Sequence, residues 1–327
     1  MKCYDAFKNI NVEARDNKLK ISPCCLVETK KANVVNINDS YLTDIRKVWS
    51  INQFPVECSK CKKAEQDNIP SRRLSSNQWY VDNGYDNDTI ELIRLDYWVG
   101  DTCNLACVIC NPGDSSLWKK ELGFFKEDRR RVTNEFWQTI DISKLKFIHF
   151  NGGEPLLSKE HVEFLKAIEQ KSDVHLNYNT NGTILPTEEL LNLWKQFKLV
   201  QLDFSIDDIE ERFEYQRYPA KWESVKNNLQ WYIDNSPVNC MFAVNTTVSI
   251  LNYNNLKNLN KWLESNFYAN RVTDPIPYRQ QPAVGLFSLK DAQMRQNQII
   301  DFLNLCDSRR NTNWKLTFPE LVNLINI

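Results

Sequence analysis

Residues 100–110 read Gly-Asp-Thr-Cys-Asn-Leu-Ala-Cys-Val-Ile-Cys and directly follow a strand candidate at residues 90–97. The three cysteines of this stretch, Cys103, Cys107 and Cys110, have the spacing C-x3-C-x2-C. Three thiolates at this spacing can cap one face of a [4Fe–4S] cluster from a single loop and leave the fourth iron open. A closed zinc site would need a fourth ligand nearby, and neither His nor Cys follows closely. The motif therefore predicts an iron–sulfur site with one open iron.

Strand and helix patterns alternate along the chain after this loop. Further strand candidates lie at residues 147–150, 174–178, 199–204 and 242–248. Helical patterns lie at residues 159–170, 188–197 and 222–235, and closing helices are expected at 292–304 and 318–327. Strand–helix repeats of this length predict a parallel sheet or barrel, whose sites lie at the carboxyl ends of the strands.

Three of these strand candidates end in polar or glycine-rich segments. The segments are Asn151-Gly152-Gly153-Glu154-Pro155, Asn179-Thr180-Asn181-Gly182 and Ser205-Ile206-Asp207-Asp208. Two adjacent glycines allow a ligand to approach the backbone closely, and a carboxylate such as that of Glu154 can accept a hydrogen bond from an ammonium group. The segments stand where strand–helix folds place their ligand sites.

The order of these motifs, from about residue 90 to 282, resembles that of the radical S-adenosylmethionine (radical SAM) superfamily. The cysteine loop, including its Cys-Asn-Leu start at Cys103, is similar to the cluster motif of this family, in which SAM chelates the open iron. The resemblance implies an α/β fold with an incomplete (β/α)6 TIM-like barrel. It also implies that one electron from the cluster cleaves SAM to methionine and a 5′-deoxyadenosyl radical, which abstracts hydrogen from a substrate.

The resemblance also implies which residues surround SAM. They are Gly152, Gly153, Glu154, Asn179, Ser205 and Arg217. By similarity to the family's G-G-E-P motif, Glu154 would hold the SAM amino group, while Ser205 would contact the ribose and Arg217 the SAM carboxylate. The sequence departs from the family at Asp208, where many members carry glycine.

A second group of cysteines precedes the first strand candidate of the barrel. Cys3 stands near the start, Cys24 and Cys25 are adjacent, and Cys58 and Cys61 form a C-x2-C pair. Four thiolates can fully ligate an iron–sulfur cluster or a zinc ion. The order resembles the SPASM/twitch extension of radical SAM enzymes, here placed before the barrel rather than after it.

The resemblance implies a short twitch-like unit with one auxiliary [4Fe–4S] cluster. The implied ligands are Cys3, Cys24, Cys58 and Cys61, with Cys25 as an alternative to Cys24 or Cys3. The family's turn glycine is missing near Asn17, as are the further cysteines of a two-cluster SPASM domain. A structural zinc site is the alternative interpretation.

Composition limits the class of protein. The 327 residues carry a net charge of -1, so no global basic field indicates a nucleic-acid partner. No apolar run approaches the ~18 residues that span a bilayer, and residues 1–5 lack the apolar core of a signal peptide. We therefore expect a cytoplasmic protein with no membrane partner. Its 10 cysteines are then not expected to form disulfides, because the cytosol keeps thiols reduced.

We expect three segments along the chain. Residues 1–80 form the twitch-like auxiliary domain, residues 90–282 the radical SAM barrel, and residues 283–327 a C-terminal helical segment. Within the first, alternating residues predict a hairpin with its turn at residues 15–17, and apolar spacing predicts a helix over residues 42–50.

Several residues are given no catalytic role. Cys240 and Cys306 are predicted to be small buried apolar residues, and His149 and His161 to be structural. The basic run at residues 127–131 is predicted to be a solvated face. The pair Arg72-Arg73 follows the C-x2-C motif and could approach the cleft. No catalytic acid or hydrogen donor is identified.

The resemblance implies an oxidoreductase-like radical SAM enzyme. A peptide or protein side chain is the preferred substrate class on family frequency, and the same chemistry on a small molecule or nucleotide is the alternative. An electron donor such as a flavodoxin or ferredoxin is implied. A non-catalytic zinc or iron–sulfur interaction module is the alternative of another class, but such a scaffold would not need a SAM pocket.

Overall fold

The computed structural model describes residues 2–15, 18–32, 35–123, 136–268, 278–282, 287–289, 292 and 294–324. The centre of the predicted hairpin turn, residues 16–17, and the basic run at 127–131 lie outside these ranges. The chain folds into two compact units. Unit 1 comprises Met1–Asp101, Lys126–Tyr178 and Gln196–Val200, and unit 2 comprises Thr102–Phe125, Asn179–Lys195 and Gln201–Ile327.

The described strands are hydrogen-bonded side by side in one sheet. They are β1 (Asn9–Arg15), β2 (Lys18–Ser22), β3 (Lys30–Lys31), β4 (Arg94–Trp98), β5 (Phe147–Asn151), β6 (His175–Thr180), β7 (Leu199–Ser205), β8 (Cys240–Val248) and β9 (Tyr278–Pro282). Their order is β3-β2-β1-β4-β5-β6-β7-β8-β9. The pairs β4–β5, β5–β6 and β8–β9 are parallel.

Helices of varied length connect and flank these strands. They are α1 (Asp5–Lys8), α2 (Ser40–Ser50), α3 (Ser59–Gln66), α4 (Arg72–Asp82), α5 (Ser116–Glu121), α6 (Glu160–Ala167), α7 (Glu188–Trp194), α8 (Glu210–Gln216), α9 (Trp222–Asn235), α10 (Leu256–Leu263), α11 (Gln296–Arg310), α12 (Trp314–Thr317) and α13 (Pro319–Leu324). Short 3-10 turns lie at Val56–Cys58, Phe136–Thr139, Pro155–Leu157 and Lys171–Asp173, and a π-helical turn at Glu264–Tyr268.

In unit 1 the N-terminal hairpin extends the sheet of the first barrel strands. β1 pairs antiparallel with β2, as the hairpin prediction required, and β2 pairs antiparallel with β3. On its other side β1 pairs parallel with β4, with Asn9 opposite Arg94 and Val12 opposite Tyr97. The hairpin is therefore hydrogen-bonded directly to β4.

The two faces of the unit 1 sheet differ in polarity. Tyr97 of β4 and Phe150 of β5 are fully buried, and the ring of Tyr97 packs edge-on against Phe164 of α6 with the centroids 5.6 Å apart. Successive side chains point to opposite faces of a strand. The polar residues Asp96 and His149, which lie directly opposite each other across β4 and β5, therefore belong to the other face.

In unit 2 the C-terminal helices close a separate apolar core. Ile299 and Leu303 of α11 pack in one cluster with Trp314, Phe318 and Leu321. The predicted helix at 292–304 occurs as α11 but begins and ends later. The helix ends at Arg310. The next residue, Asn311, adopts a left-handed conformation with a φ of 53°. Asn tolerates that conformation better than most residues, which makes it a suitable helix stop.

The α/β fold with an incomplete (β/α)6 barrel is confirmed. Six strands, β4 to β9, lie in chain order in the sheet, and helices separate them along the sequence. The first strand begins at Arg94 rather than at residue 90. Residues 91 and 93 instead donate backbone hydrogen bonds to the carbonyl groups of Phe7 and Lys8. Among the described residues, no helix has the length and apolar character to cross a bilayer. The division into segments 1–80, 90–282 and 283–327 stays a prediction.

Candidate functional site

The loop between β4 and α5 carries the three motif cysteines, each of them half-buried. Its backbone is bonded to neighbouring residues of unit 2. The amide of Cys103 donates to Oγ of Ser116 at 3.1 Å, and Nε1 of Trp118 donates to the carbonyl oxygen of Cys107 at 2.8 Å. The amide of Val108 donates to the carbonyl oxygen of Gln216 at 2.8 Å. These hydrogen bonds of the backbone help to shape the loop. Within it, Sγ of Cys103 accepts from the amide of Leu105 at 3.5 Å, and Sγ of Cys110 donates to the carbonyl oxygen of Asn111 at 3.7 Å.

Two of the three thiols of this loop, those of Cys107 and Cys110, have a raised pKa. Burial raises the pKa of Cys107, although the positive charge of Arg217 opposes the rise. Burial, followed by the nearby Cys107, raises the pKa of Cys110 to about 12. Metals bind thiolates, so loading this site must release protons.

Arg217, which sequence resemblance assigns to SAM, forms an ion pair with Asp207. Its Nη2 lies 2.7 Å from Oδ2 of Asp207, and both side chains are buried. Desolvation lowers the pKa of Arg217, but Asp207 and then Cys107 raise it more, so the guanidinium stays charged. Nε of Arg217 is buried and has no hydrogen-bond partner among the described residues. Asp207 also accepts from the amide of Thr247 at 2.8 Å, which fixes the carboxylate on β8.

Asp208, the departure from the family's glycine, has a structural explanation. It is fully buried, and its carboxylate accepts from the amide of Ile209, the residue before α8, at 2.9 Å. Nε of Arg212 donates to it at 2.9 Å and Nε2 of Gln216 at 3.2 Å. The turn after β7 is therefore held by a side chain where many members of the family have none.

The polar turn after β6 is bonded to the cysteine loop. Nδ2 of Asn181 donates to Oδ1 of Asn104 at 3.0 Å, and Nδ2 of Asn104 donates to Oγ1 of Thr183 at 2.7 Å. The three residues Asn104, Asn181 and Thr183 all lie in unit 2. Asn104 had no assigned role, although it is the middle residue of the Cys-Asn-Leu start. Asn179 and Ser205 lie at the ends of β6 and β7 and are half-buried.

In unit 1 the Gly-Gly-Glu-Pro segment packs against the backbone of residue 100. Gly152 has a φ of +128°, and a Cβ atom there would lie 2.5 Å from the carbonyl oxygen of Gly100. The amide of Gly153 donates to that same oxygen at 2.8 Å. The first glycine is thus required by close approach of the chain itself. Glu154 is buried, and its Oε1 accepts from the amide of Leu156 at 3.1 Å.

The N-terminal cysteines meet at a cavity of unit 1. The four thiols predicted as ligands, Cys3, Cys24, Cys58 and Cys61, all line it. The cavity proper has a volume of about 20 Å³, and the empty space including solvent at its mouth is about 330 Å³. Burial raises the pKa of Cys3 and Cys24, and it raises that of Cys58 to about 12.

Cys25, the alternative ligand, does not belong to the lining of this cavity. It is exposed, and its Sγ accepts from Nη1 of Arg72 at 3.3 Å. Among the described residues, no three His, Cys, Asp or Glu side chains converge in the geometry of a single metal ion.

Arg72 connects the cavity to the polar face of the sheet. It lines the cavity, lies 3.3 Å from Oδ2 of Asp5, and pairs with Oδ2 of Asp96 on β4 at 2.7 Å. Asp96 is buried, and Nδ1 of His149 lies 3.4 Å from its other oxygen. Burial raises the pKa of Asp96, but Arg72 and then His149 lower it well below its usual range. The sequence offered no signal for Asp96, since a lone Asp in a strand has no motif around it.

Of the four residues predicted to be structural, three lie in the cores, whereas His149 is half-buried on the polar face of the sheet beside Asp96. Cys240 and Cys306 are buried. His161 is also fully buried, with Nδ1 2.6 Å from the carbonyl oxygen of Ser158. Burial lowers the pKa of His161 to about 4.

Comparison with known proteins identifies the family of the chain. The family model of the radical SAM superfamily matches residues 98–262. GTP 3′,8-cyclase of Lactiplantibacillus plantarum is 34% identical over 126 residues, which are 36% of this chain and 33% of that protein. The same enzyme of Helicobacter pylori is 26% identical over 166 residues, 50% of this chain and 48% of that one. The chain thus spans about a third to a half of the length of these relatives.

Solved structures are similar at lower identity. Streptococcus suis SuiB bound to S-adenosylmethionine has a TM-score of 0.46 and 12% identity, covering 94% of this chain and 74% of that one. The protein anSMEcpe with bound AdoMet has a TM-score of 0.43 and 16% identity, covering 64% of this chain and 57% of that one.

Proposed function

The chain belongs to the radical SAM superfamily, whose model matches half of it, and from that premise we propose that it is an enzyme that cleaves SAM reductively. The observation that carries the proposal is the loop between β4 and α5. Its three thiols stand on a backbone whose shape is set by hydrogen bonds to Ser116, Trp118 and Gln216. Thiolates are the usual ligands of [4Fe–4S] clusters, and three of them leave one iron open.

We assign Cys103, Cys107 and Cys110 to this cluster. When bound, the cluster would supply the electron that splits SAM into methionine and a 5′-deoxyadenosyl radical, which removes hydrogen from the substrate. The chain's own part is to bind and orient SAM and to exclude water. A flavodoxin or ferredoxin is the proposed source of the electron.

The SAM-binding residues are proposed from the motifs that surround them. Glu154 would accept from the SAM ammonium, with Gly152 and Gly153 holding the backbone of its segment. In unit 2, Ser205 and Asn179 would contact the ribose. The roles of these five residues follow from the resemblance of the motifs, and each can be tested by substitution.

Arg217 is the proposed partner of the SAM carboxylate. Its guanidinium is held by Asp207 at 2.7 Å, while its buried Nε has no partner in the part of the chain that the structure describes. A buried donor without a partner is costly and rare in folded proteins. A carboxylate ligand would satisfy that donor and leave the pair with Asp207 in place.

We propose that the N-terminal cavity holds an auxiliary [4Fe–4S] cluster. The four lining thiols, Cys3, Cys24, Cys58 and Cys61, equal the number of ligands that a closed cluster requires. Three cations, Lys60, Arg72 and Arg73, and two carboxylates, Asp5 and Glu57, also line the cavity. The lining therefore carries one net positive charge, which would offset part of the negative charge of a thiolate-bound cluster. Zinc can also bind four thiolates, and analysis of the metal content of the chain distinguishes a zinc ion from a cluster at this site.

A peptide or protein side chain is the proposed substrate class. The observation that supports it is the edge strand β3, at one end of the sheet order, whose Lys30 and Lys31 are both exposed. An edge strand has unpaired backbone groups with which an extended peptide can pair. The lysines would favour a peptide with acidic side chains.

A nucleotide is the second candidate substrate. It is favoured by the similarity to relatives named GTP 3′,8-cyclase. That similarity spans only part of either chain, and the substrate of those relatives is carried to this protein only as a hypothesis.

One assay separates the two substrate classes. The reconstituted chain is incubated anaerobically with SAM, dithionite and either GTP or a peptide pool digested from a proteome. The proposal expects more 5′-deoxyadenosine with the peptide pool, and a peptide whose mass changes. Consumption of GTP coupled to 5′-deoxyadenosine would instead support the nucleotide class. Absence of 5′-deoxyadenosine under all conditions would contradict the proposed reaction itself.

A further inference from the structure

The last residue of α11, Arg310, reaches the cysteine loop from almost the far end of the chain. Its Nη2 donates to the carbonyl oxygen of Ala106 at 2.9 Å. Its Nε and Nη2 donate to the two carboxylate oxygens of Glu121, at the end of α5, both at 3.0 Å. The side chain of Arg310 is only 2% exposed. One guanidinium therefore joins α11, α5 and the loop.

Two aromatic rings contact the same guanidinium. Its carbon lies 4.5 Å from the ring centroid of Trp118 and 4.6 Å from that of Tyr218. Each ring residue is itself bonded to the loop. Nε1 of Trp118 donates to the carbonyl oxygen of Cys107, and the carbonyl oxygen of Tyr218 accepts from the amide of Ala106 at 2.7 Å. Arg310 thus contacts Ala106 of the loop itself and two residues, Trp118 and Tyr218, that are hydrogen-bonded to the loop at Cys107 and Ala106.

The charge of Arg310 also acts on the loop. Its Nη1 is buried and finds no hydrogen-bond partner in the described ranges. Its Nη2 is bonded to the carbonyl oxygen of Ala106, the residue that directly precedes Cys107, so the positive charge lies beside the loop. A cation favours a thiolate over a thiol, and it favours a cluster after it has gained an electron.

We propose that Arg310 is a positioning residue for the loop that binds the catalytic cluster, and that its charge raises the reduction potential of that cluster. This inference rests on the proposed function, because it concerns the cluster held by Cys103, Cys107 and Cys110. Reduction potentials of iron–sulfur clusters depend on net charge and on nearby hydrogen bonds. A buried arginine beside the loop can supply the charge, and its planar fork can hold Glu121 and Ala106 together.

Glu121 makes the proposal distinguishable from a purely structural role. Removal of the charge of Arg310 should shift the cluster potential to a more negative value. Neutralisation of Glu121 leaves the cation and removes its counter-charge, so the potential should shift in the opposite direction. A merely structural contact would instead lower cluster retention in both variants with no opposite shifts.

The experiment uses the full chain after anaerobic reconstitution. Variants Arg310→Gln, Arg310→Lys and Glu121→Gln are compared with the wild type. Arg309→Gln is the matched control. Arg309 carries the same charge on the same helix, but its guanidinium donates to the backbone carbonyl oxygen of Glu121 and not to the carboxylate. The potential is measured by redox titration of the electron paramagnetic resonance signal that changes when SAM is added, since a cluster with an open iron can take SAM as a ligand. Iron per chain and thermal unfolding are recorded in parallel.

The expected results differ between variants. Arg310→Gln should shift the SAM-responsive signal to a more negative potential and Glu121→Gln to a less negative one. Arg310→Lys should have a cluster potential close to that of the wild type, because the charge remains. It should retain less iron, because an ammonium group cannot reproduce the forked hydrogen bonds of the guanidinium. Arg309→Gln should match the wild type. If Arg310→Gln does not fold, the direction of the potential shift in Glu121→Gln and the potential and iron content of Arg310→Lys test the proposal.

Two results would overturn the inference. One is an unchanged potential and iron content in Arg310→Gln, and the other is a shift of the same sign in Arg310→Gln and Glu121→Gln. A wild-type chain without a SAM-responsive signal would be a different failure, because it would contradict the proposed function rather than the role of Arg310.

Discussion

Nη2 of Arg217 lies 2.7 Å from Oδ2 of Asp207, and neither side chain is exposed by more than 9%. The pair joins the segment after α8 to the end of β7, and Asp207 is held in turn by the amide of Thr247. A buried charge is tolerated only when it is paired and hydrogen-bonded. The proposed SAM carboxylate partner therefore depends on Asp207 for its position and its charge.

Asp207→Asn should destabilise the metal-free chain by about 3–5 kcal/mol, because it leaves a buried guanidinium without its counter-charge. The urea midpoint of unfolding measures the loss. Asp44→Asn is the control, since Asp44 pairs with Lys47 at 2.8 Å but both side chains are about 70% exposed. Exposed pairs contribute at most about 1 kcal/mol. Equal effects of the two substitutions would contradict the importance of the buried pair.

Gly152→Ala should disrupt the Gly-Gly-Glu-Pro segment. The added Cβ would lie 2.5 Å from the carbonyl oxygen of Gly100, and the φ of +128° is unfavourable for alanine. Strain and overpacking together should cost about 3 kcal/mol or more, measured by urea unfolding. Gly84→Ala is the matched control, because Gly84 has a φ of +74° but no atom within 4 Å of an added Cβ. Its cost should be about 1–2 kcal/mol, from the backbone alone.

The two adjacent cysteines of unit 1 should behave differently from each other. Cys24→Ser should lower the iron of the reconstituted chain from about eight to about four atoms, because Cys24 lines the N-terminal cavity. Cys25→Ser should leave the iron content unchanged, since Cys25 is exposed and outside that lining. Loss of iron in Cys25→Ser alone would reverse the ligand assignment. Loss of one zinc and no iron in Cys24→Ser would make the site structural zinc.

The buried His161 should make stability depend on pH. Its pKa is lowered by burial to about 4, against about 6.5 in the unfolded chain. The unfolded state binds the proton first, so the contribution is fully present above about pH 6.5 and is lost as the pH falls towards 4. The loss should amount to about 3 kcal/mol. Urea unfolding at pH 7.5 and pH 4.5 measures it in the wild type, and His161→Phe should show a smaller difference between the two.

Local patterns explain which parts of the fold could be predicted. The helix over Trp222–Asn235 and the strand ending at Ser205 follow from the spacing of apolar residues within one segment. The cysteine loop could be recognised because its three thiols lie within eight residues. The same holds for Cys58 and Cys61, whose C-x2-C spacing is local.

Long-range contacts explain what could not be predicted. The parallel pairing of β1 with β4 joins Asn9 to Arg94, and no local pattern specifies a partner across that separation. Arg310 likewise meets Ala106 across 204 positions. Asp208 was seen as a departure from the family, yet its role in holding α8 depends on the side chains of Arg212 and Gln216. The first two features are tertiary contacts between segments whose sequences carry no mutual signal. The contacts of Asp208 are local, but they form only because α8 directs Arg212 and Gln216 back towards it.

The proposed role of the loop of Cys103, Cys107 and Cys110 is to bind the cluster that cleaves SAM reductively. The most direct measurement is 5′-deoxyadenosine formed from SAM with dithionite under anaerobic conditions, in the wild type, Cys107→Ala and Cys240→Ala. Cys240 is a buried cysteine on β8 outside both cysteine groups, so its variant controls for loss of a thiol. We expect product from the wild type and from Cys240→Ala, and none from Cys107→Ala. Undiminished 5′-deoxyadenosine in Cys107→Ala would contradict it.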